Sequence, residues 1–324
     1  MIETGHGPGM DCSIVPLVGR PGLQLVSTSD FFYPLVEDPY LQGKIACANV
    51  LSDLYSMGVV YCDTMLMTLA ASRDMLPEHR FIVTKEMIRG FNDHATLAET
   101  RVTGGQTVLN PWPIIGGIAM AVCRDEEMIR PVHAEPGAVL VLTKPLGTQL
   151  AVNAHQWLHQ PEVWATKQEA GVSEQQVMRA YHLACRSMAR LNRTGARLMH
   201  VHRAQCATDV TGFGILGHAN NLASNQTRAD LVFRLTSLPV LRGMMELDAL
   251  KPDGFKLARG MSAETSGGLL LALPSREAAE LFLSDYRREE KCDDGWIVGI
   301  VELAGNPQKA SVAVLDPGYG VVHV

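Results

Sequence analysis

Residues 23–71, LQLVSTSDFFYPLVEDPYLQGKIACANVLSDLYSMGVVYCDTMLMTLAA, decide the fold class, because the side-chain period changes twice within them. Leu23–Thr28 is short and β-prone, which predicts a strand ending at Asp30. From Tyr40 to Met57 the apolar residues Leu41, Ile45, Ala48 and Tyr55 recur at helical steps, with one seven-residue gap. Gly58 supplies a stop signal. Val59–Ala71 then predicts a second strand. Strand, helix and strand in succession mark an α/β or α+β chain.

The alternation continues outward. Arg80–Thr96 predicts a helix and Ile114–Cys123 a buried strand. Pro131, Pro136 and Gly137 break the pattern, which places a domain boundary there and divides the chain into 1–134 and 135–324. A fresh strand follows at Ala138–Thr143. Ser173 with Gln176 forms a capping box, after which Val177, Tyr181, Ala184, Met188 and Leu191 share one helical face. Phe213–Ala223 and Arg276–Tyr286 predict helices. Leu231–Leu235, Leu269–Leu273 and Trp296–Val301 predict strands. A chain of 324 residues exceeds the size at which one core stops growing, so two domains are expected.

Apolar residues make up 47% of the chain and charged residues 19%, an ordinary globular composition. The net charge is -6 and no run of basic residues is present, so nucleic acid and membrane surfaces are not expected partners. Seven scattered cysteines without a C-x-x-C pair exclude a disulfide framework or zinc site and fit a reducing, cytoplasmic setting. No secretory pattern opens the chain, and the most apolar stretch, Ile114–Cys123, is about half a bilayer span.

The chemistry-bearing residues are aspartates beside glycine-rich turns. Asp11 follows Gly7-Pro8-Gly9-Met10, and Asp30 ends the first predicted strand. Asp53 lies one helical turn after Asn49, and Asp209 sits in Thr208-Asp209-Val210-Thr211-Gly212. Mg²⁺ takes hard oxygen ligands and completes its shell with waters and substrate phosphates, so dispersed aspartates suit a metal-bound triphosphate. Taken singly, each is equally a turn residue, a strand terminator, a solvated helix position or an Asx turn. Asp53 is the least ordinary of them, because Leu51 and Leu54 flank it. Thr103-Gly104-Gly105-Gln106-Thr107 reads as a phosphate- or sugar-contacting loop or as a plain β-turn. Thr265-Ser266-Gly267-Gly268 has the same two readings, with the turn favoured.

Gly212–Gly217 contains G-x-G-x-x-G, but Gln205–Val210 does not predict a strong strand ahead of it. The next acid, Asp230, is too near for a dinucleotide fingerprint. No Walker A sequence and no G-x-S-x-G elbow is present, so bound ATP would not use a P-loop.

Five segments in order, Asp30–Asp53, Thr103–Gly117 (TGGQTVLNPWPIIGG), Leu142–Gln149 (LTKPLGTQ), Ala207–His218 (ATDVTGFGILGH) and Glu264–Leu270 (ETSGGLL), resemble eukaryotic-type selenophosphate synthetase (selenide, water dikinase). The resemblance implies a two-domain fold like that of aminoimidazole ribonucleotide synthetase. N-terminal sheets of two subunits would pair into a barrel across a homodimer. It implies the reaction of ATP, selenide and water to selenophosphate, orthophosphate and AMP, and links to the selenoprotein-synthesis machinery. Asp11, Asp53 and Asp209 fall on the family's magnesium aspartates, and Asp30 on an acidic residue of its nucleotide–metal site. Gly9, Met10, Gly104, Gly105, Gln106 and Thr107 fall on its nucleotide contacts, with Asp11, Asp30 and Asp53 beside them.

One departure is expected to matter. The family carries a cysteine or selenocysteine, and a lysine three residues later, ahead of the Gly-Met-Asp segment. Cys12 and Lys44 are the first such residues here and cannot be those two, so the catalytic pair is unassigned. This suggests an N-terminally trimmed core that binds Mg²⁺–ATP with impaired activity. A catalytically silent regulatory paralogue is the alternative.

Overall fold

The computed structural model describes residues 11–305 and 311–324. Gly9 and Met10 lie outside the described residues. The chain divides into two compact units, Met1–Ile129 with Ala189–Arg197, and Arg130–Met188 with Leu198–Val324.

The first unit carries β1 (Ser13–Pro16), β2 (Gln24–Phe32), α1 (Pro39–Ser56), β3 (Thr64–Ser72), α2 (Pro77–Leu97), β4 (Val102–Asn110) and β5 (Ile114–Cys123). Its sheet runs β1-β2-β5-β3-β4, antiparallel except for the parallel pair β3 and β4, which the α2 crossover joins. Helix α1 starts where the Asp38 carboxylate accepts the backbone N–H of Tyr40 (2.9 Å), with Pro39 at the first helical position. It stops at Gly58, whose φ of 72° only glycine adopts readily. Alternate residues of the sheet, including Val26, Met65, Met67, Ile115 and Ala119, point into one core with Val50, Leu51 and Leu54 of α1 and Met87 and Phe91 of α2. Each large side chain buried there contributes roughly 1.5–3 kcal/mol.

Helices α1 and α2 cross with their backbones almost touching. A Cβ on Gly43 would stand 2.1 Å from the Met87 carbonyl oxygen, and one on Gly90 would stand 1.9 Å from that of Tyr40. The two glycines set how deeply α1 seats against its neighbour.

The second unit carries β6 (Val139–Leu142), α3 (Thr148–Leu158), α4 (Pro161–Ala165), α5 (Glu174–Ala189), α6 (Arg193–Val201), β7 (Cys206–Asp209), α7 (Gly214–Ser224), β8 (Leu231–Val240), α8 (Met244–Ala249), β9 (Leu269–Leu273), α9 (Arg276–Glu290), β10 (Trp296–Leu303) and β11 (Val312–His323). The first turns of α6 group with the first unit. The sheet runs β11-β8-β10-β6-β9-β7, with only β11 and β8 parallel. The capping box before α5 forms as expected: Ser173 N–H donates to Gln176 Oε1 (2.9 Å), and Gln176 N–H to Ser173 Oγ (3.3 Å). Among the described residues no helix is long and apolar enough to cross a membrane, and no disulfide links the seven cysteines.

The mixed α/β architecture agrees with the alternating pattern, while several local expectations are corrected. Asp30 lies inside β2, which runs on to Phe32, because the β5 register continues to Phe32↔Ile115. The second strand begins at Thr64 rather than Val59, since Val59 N–H still closes the helix end on the Leu54 carbonyl (3.0 Å) and pairing with β5 starts only at Thr64↔Met120. Thr103–Thr107 is neither turn nor loop but the middle of edge strand β4. A strand does precede the G-x-G-x-x-G run: β7, all four residues buried. Its neighbour is antiparallel β9, so no parallel βαβ unit forms there and the dinucleotide reading fails on topology.

Candidate functional site

In the first unit, two periodicities bring polar groups together. Asn49, Asp53 and Ser56 recur on one face of α1, at helical spacing, while Thr28 and Asp30 recur on one face of β2, at strand spacing. Thr28 Oγ1 donates to Asp53 Oδ2, and Asn49 Nδ2 donates to Asp30 Oδ2. Ser56 Oγ lies 2.7 Å from Asp11 Oδ2 and 2.8 Å from the Asp53 carbonyl. Carboxylate oxygens of Asp11 and Asp53 stand within 4.8 Å of each other. Burial pushes the Asp30 carboxyl above its ordinary pKa, and the Asn49 amide pulls it partly back. Two anions held this close repel unless a cation stands between them.

Gly104–Thr107 is not brought to that cluster within one chain. Strand β4 is separated from β2 by β5 and β3, roughly 14 Å at normal strand spacing. These residues are exposed on an open edge.

In the second unit, three loops meet at one end of the sheet. Strand β7 ends at Asp209, which is 1% exposed. The turn after it is held by His218: Nε2 accepts the Phe213 N–H (3.4 Å) and faces Thr211 Oγ1 at 3.1 Å. Burial lowers the His218 pKa to about 4, so the ring is a neutral acceptor. Gly214, at φ 69°, packs where a Cβ would meet the Met261 backbone at 2.6 Å. The glycines and histidine of this motif thus shape a tight turn from strand to helix. Glu264 binds across to the start of α3, accepting N–H groups from Gly147 (2.6 Å) and Thr148 (2.9 Å) and the Thr148 hydroxyl. Its burial raises the carboxyl pKa to about 7, partly opposed by those donors. Buried Lys144 donates from Nζ to the Ser266 carbonyl (2.8 Å).

Of the sequence-predicted residues, the structure thus brings Asp11 and Asp53 together and ties Asp30, on β2, to α1 through Asn49. Asp209 belongs to the second unit. Thr28, Ser56, Lys144, Glu264 and His218 were not singled out by sequence reasoning. Lys144, His218 and Glu264 had one signal, membership of the motif segments 142–149, 207–218 and 264–270, while Thr28 and Ser56 lie just outside the segment 30–53.

The model for "AIR synthase related protein, N-terminal domain" matches residues 9–123, and that for "AIR synthase related protein, C-terminal domain" matches residues 135–308. "Selenide, water dikinase" of Dictyostelium discoideum is 53% identical over 303 residues, covering 93% of this chain and 82% of that protein. The Trypanosoma brucei brucei protein of the same name is 51% identical, covering 98% and 81%. "Selenide, water dikinase 2" of Homo sapiens is 52% identical, covering 96% and 72%. Solved structures share the fold at low identity. "AaThiL complexed with AMPPCP and TMP" superposes with TM-score 0.68 at 16% identity, covering 97% of this chain and 89% of that one. "Crystal Structure of Hydrogenase Maturation Protein HypE in complex with ATP" gives 0.67 at 15%, covering 94% and 83%. With about half its residues identical to these dikinases over nearly its whole length, and both AIR synthase-related domains matched in order, the chain belongs to the selenide, water dikinase family.

Proposed function

We propose that this chain is an ATP-dependent phosphotransferase that converts selenide, ATP and water to selenophosphate, orthophosphate and AMP. The observation that carries the reading is the Asp11–Asp53 pair, with carboxylate oxygens within 4.8 Å and both side chains fixed by hydroxyl partners. Hard oxygen donors at this spacing fit Mg²⁺, which tolerates one or two carboxylates and leaves room for phosphate oxygens. Asp11, Asp53 and Asp209 are the proposed ligands, with Asp30 beside them. Bound there, Mg²⁺ would offset the charge that develops on the phosphate oxygens.

The chain's own residues supply orientation. Thr28 and Ser56 hold the two carboxylates, so little reorganisation is needed when the triphosphate arrives. Asn49 turns Asp30 toward the same face. Gly104–Thr107 contact the nucleotide from a second copy of the chain, because their edge strand lies far from the aspartates within one copy. The sheet face away from the helices supports a homodimer: it presents half-buried Leu25, Leu66, Ile118 and Met120 and exposed Phe31.

The test is to supply ATP and selenide and measure AMP by chromatography and selenophosphate by phosphorus NMR. Asp53→Asn and Asp209→Asn should each lower AMP formation by roughly 10²–10³-fold while leaving the fold intact, since losing a metal ligand removes several kcal/mol of charge stabilisation. Rates within a few-fold of the parent would refute the assignment.

A further inference from the structure

We infer that Lys144 is a positioning residue for Asp209, acting through the Glu264–Gly268 loop; the inference rests on the reading of Asp209 as a Mg²⁺ ligand. Lys144 is 1% exposed, an unusual place for an ammonium group. Burying an ammonium costs free energy, and an apolar side chain of similar volume is often as stable or more so, which points to a positioning role rather than to stability. Its Nζ donates to the carbonyl of Ser266 at 2.8 Å. Ser266 stands at φ 47°, a left-handed conformation that a non-glycine residue holds only when its surroundings impose it. The ammonium grips the loop at that residue.

The loop is tied on one side to β6 and α3. Thr143 N–H donates to the Leu269 carbonyl (3.1 Å), and Leu269 N–H to Thr143 Oγ1 (2.8 Å). Glu264 accepts from Gly147 and Thr148. On its other side the loop brackets the two residues that follow Asp209. Val210 N–H donates to the Gly268 carbonyl (2.9 Å), and Glu264 N–H to the Thr211 carbonyl (3.0 Å). A rigid path therefore runs from Lys144 through Ser266 and the loop to the backbone that aims the Asp209 carboxylate. Partners that orient metal ligands in this way commonly change metal affinity by 10–100-fold when removed.

The experiment titrates Mn²⁺ into the full chain with a β,γ-methylene ATP analogue present, reading free metal by electron paramagnetic resonance. Lys144→Met, which fills the site without the ammonium, should weaken Mn²⁺ binding by about 10–100-fold with a thermal midpoint near or above the parent's. Lys144→Arg keeps charge and donor but adds bulk where there is no room, so Ser266 must shift; about tenfold weaker binding is expected. A folded Lys144→Met with Mn²⁺ affinity within twofold of the parent overturns the inference. If Lys144→Met does not fold, parent-like affinity in Lys144→Arg overturns it instead. Asp209→Asn separates the two claims. Loss of Mn²⁺ binding there beside a parent-like Lys144→Met refutes the positioning role alone. A parent-like Asp209→Asn refutes the metal reading and the inference with it.

Discussion

Gly43→Ala should destabilise the first unit, the reverse of what glycine-to-alanine does in most helices. An alanine in a helix interior ordinarily gains about 0.8–1 kcal/mol over glycine. Here the new Cβ would lie 2.1 Å from the Met87 carbonyl oxygen and 2.7 Å from the Phe91 nitrogen. Ordinary contact begins near 3.4 Å, so the methyl falls short by about 1.3 Å against backbone atoms that no rotamer change can move. The helices α1 and α2 must separate, loosening Phe91 and Leu54 from the core. Overpacking costs about 1–3 kcal/mol, and an obstacle made of backbone puts this case at the upper end, leaving a net loss of about 2 kcal/mol after the propensity gain. That corresponds to a thermal midpoint lowered by roughly 4–8 °C, read by circular dichroism or calorimetry. Gly90→Ala meets the partner backbone at the same crossing. The double variant should therefore lose less than the sum, because the first methyl has already parted the helices. An unchanged or raised midpoint for Gly43→Ala would refute the close-contact argument.

Two further predictions concern pH. Burial raises the Glu264 pKa from 4.5 to about 7, so the folded state favours its protonated form; the associated stability is full below pH 4.5 and is lost as pH rises through about 7. Urea unfolding at several pH values should show the parent losing about 3 kcal/mol relative to Glu264→Gln across that window, and a difference that stays flat or grows with pH would contradict this. His218 is shifted the other way, from 6.5 to about 4, so its contribution is full above pH 6.5 and is lost as pH falls through about 4. His218→Gln, which keeps an acceptor for the Phe213 N–H, should flatten that acid limb by about 3 kcal/mol; an acid limb as steep as the parent's would place the titration elsewhere.

The elements most legible in the sequence were those whose burial produces a simple pattern. Ile114–Cys123 and Leu269–Leu273 are continuous apolar runs between turn signals and emerge with the expected bounds. Helices α1, α2 and α9 differ from expectation by a few residues at their ends, where caps rather than periodicity decide. Strand β7 was hidden because its four buried residues, Cys206-Ala207-Thr208-Asp209, are half polar and form neither an apolar run nor an alternation. Strand β11 went unseen because Pro317, Gly318 and Gly320 read as a loop; Pro317 and Gly318 do lie where the register shifts between Leu315 and Gly320, but the residues on both sides pair with β8. Thr103–Thr107 resembled a turn for the same compositional reason, although the α2 crossover delivers it beside β3. At the site, the aspartates could be picked out by residue type. Lys144 and Glu264 could not, because a charged residue in a loop is by default a surface residue, and only register and burial show otherwise.

Helix α1 shows why the site resists reading from periodicity alone. Its face at Asn49, Ser52, Asp53 and Ser56 should by ordinary amphipathic logic be apolar, since Asn49, Ser52 and Ser56 are buried. Buried polar groups cost free energy unless they are hydrogen-bonded, so each needs a partner from outside the helix. Each has one, and the partners come from separate stretches of chain: Asp30 for Asn49, Asn192 for Ser52 at 2.9 Å, Thr28 for Asp53, and Asp11 for Ser56. The stripe therefore fastens the segment before β1, the strand β2 and the 189–197 segment to one helix. An apolar stripe would bury no polar groups, but it would remove the Asn49 and Ser56 hydrogen bonds to Asp30 and Asp11. The glycine crossing seats the opposite end of the same helix against α2, so a displacement at Gly43 is carried along a rigid rod to Asp53. Stability and chemistry share α1, and substitutions that move it should impair metal binding before they unfold the unit.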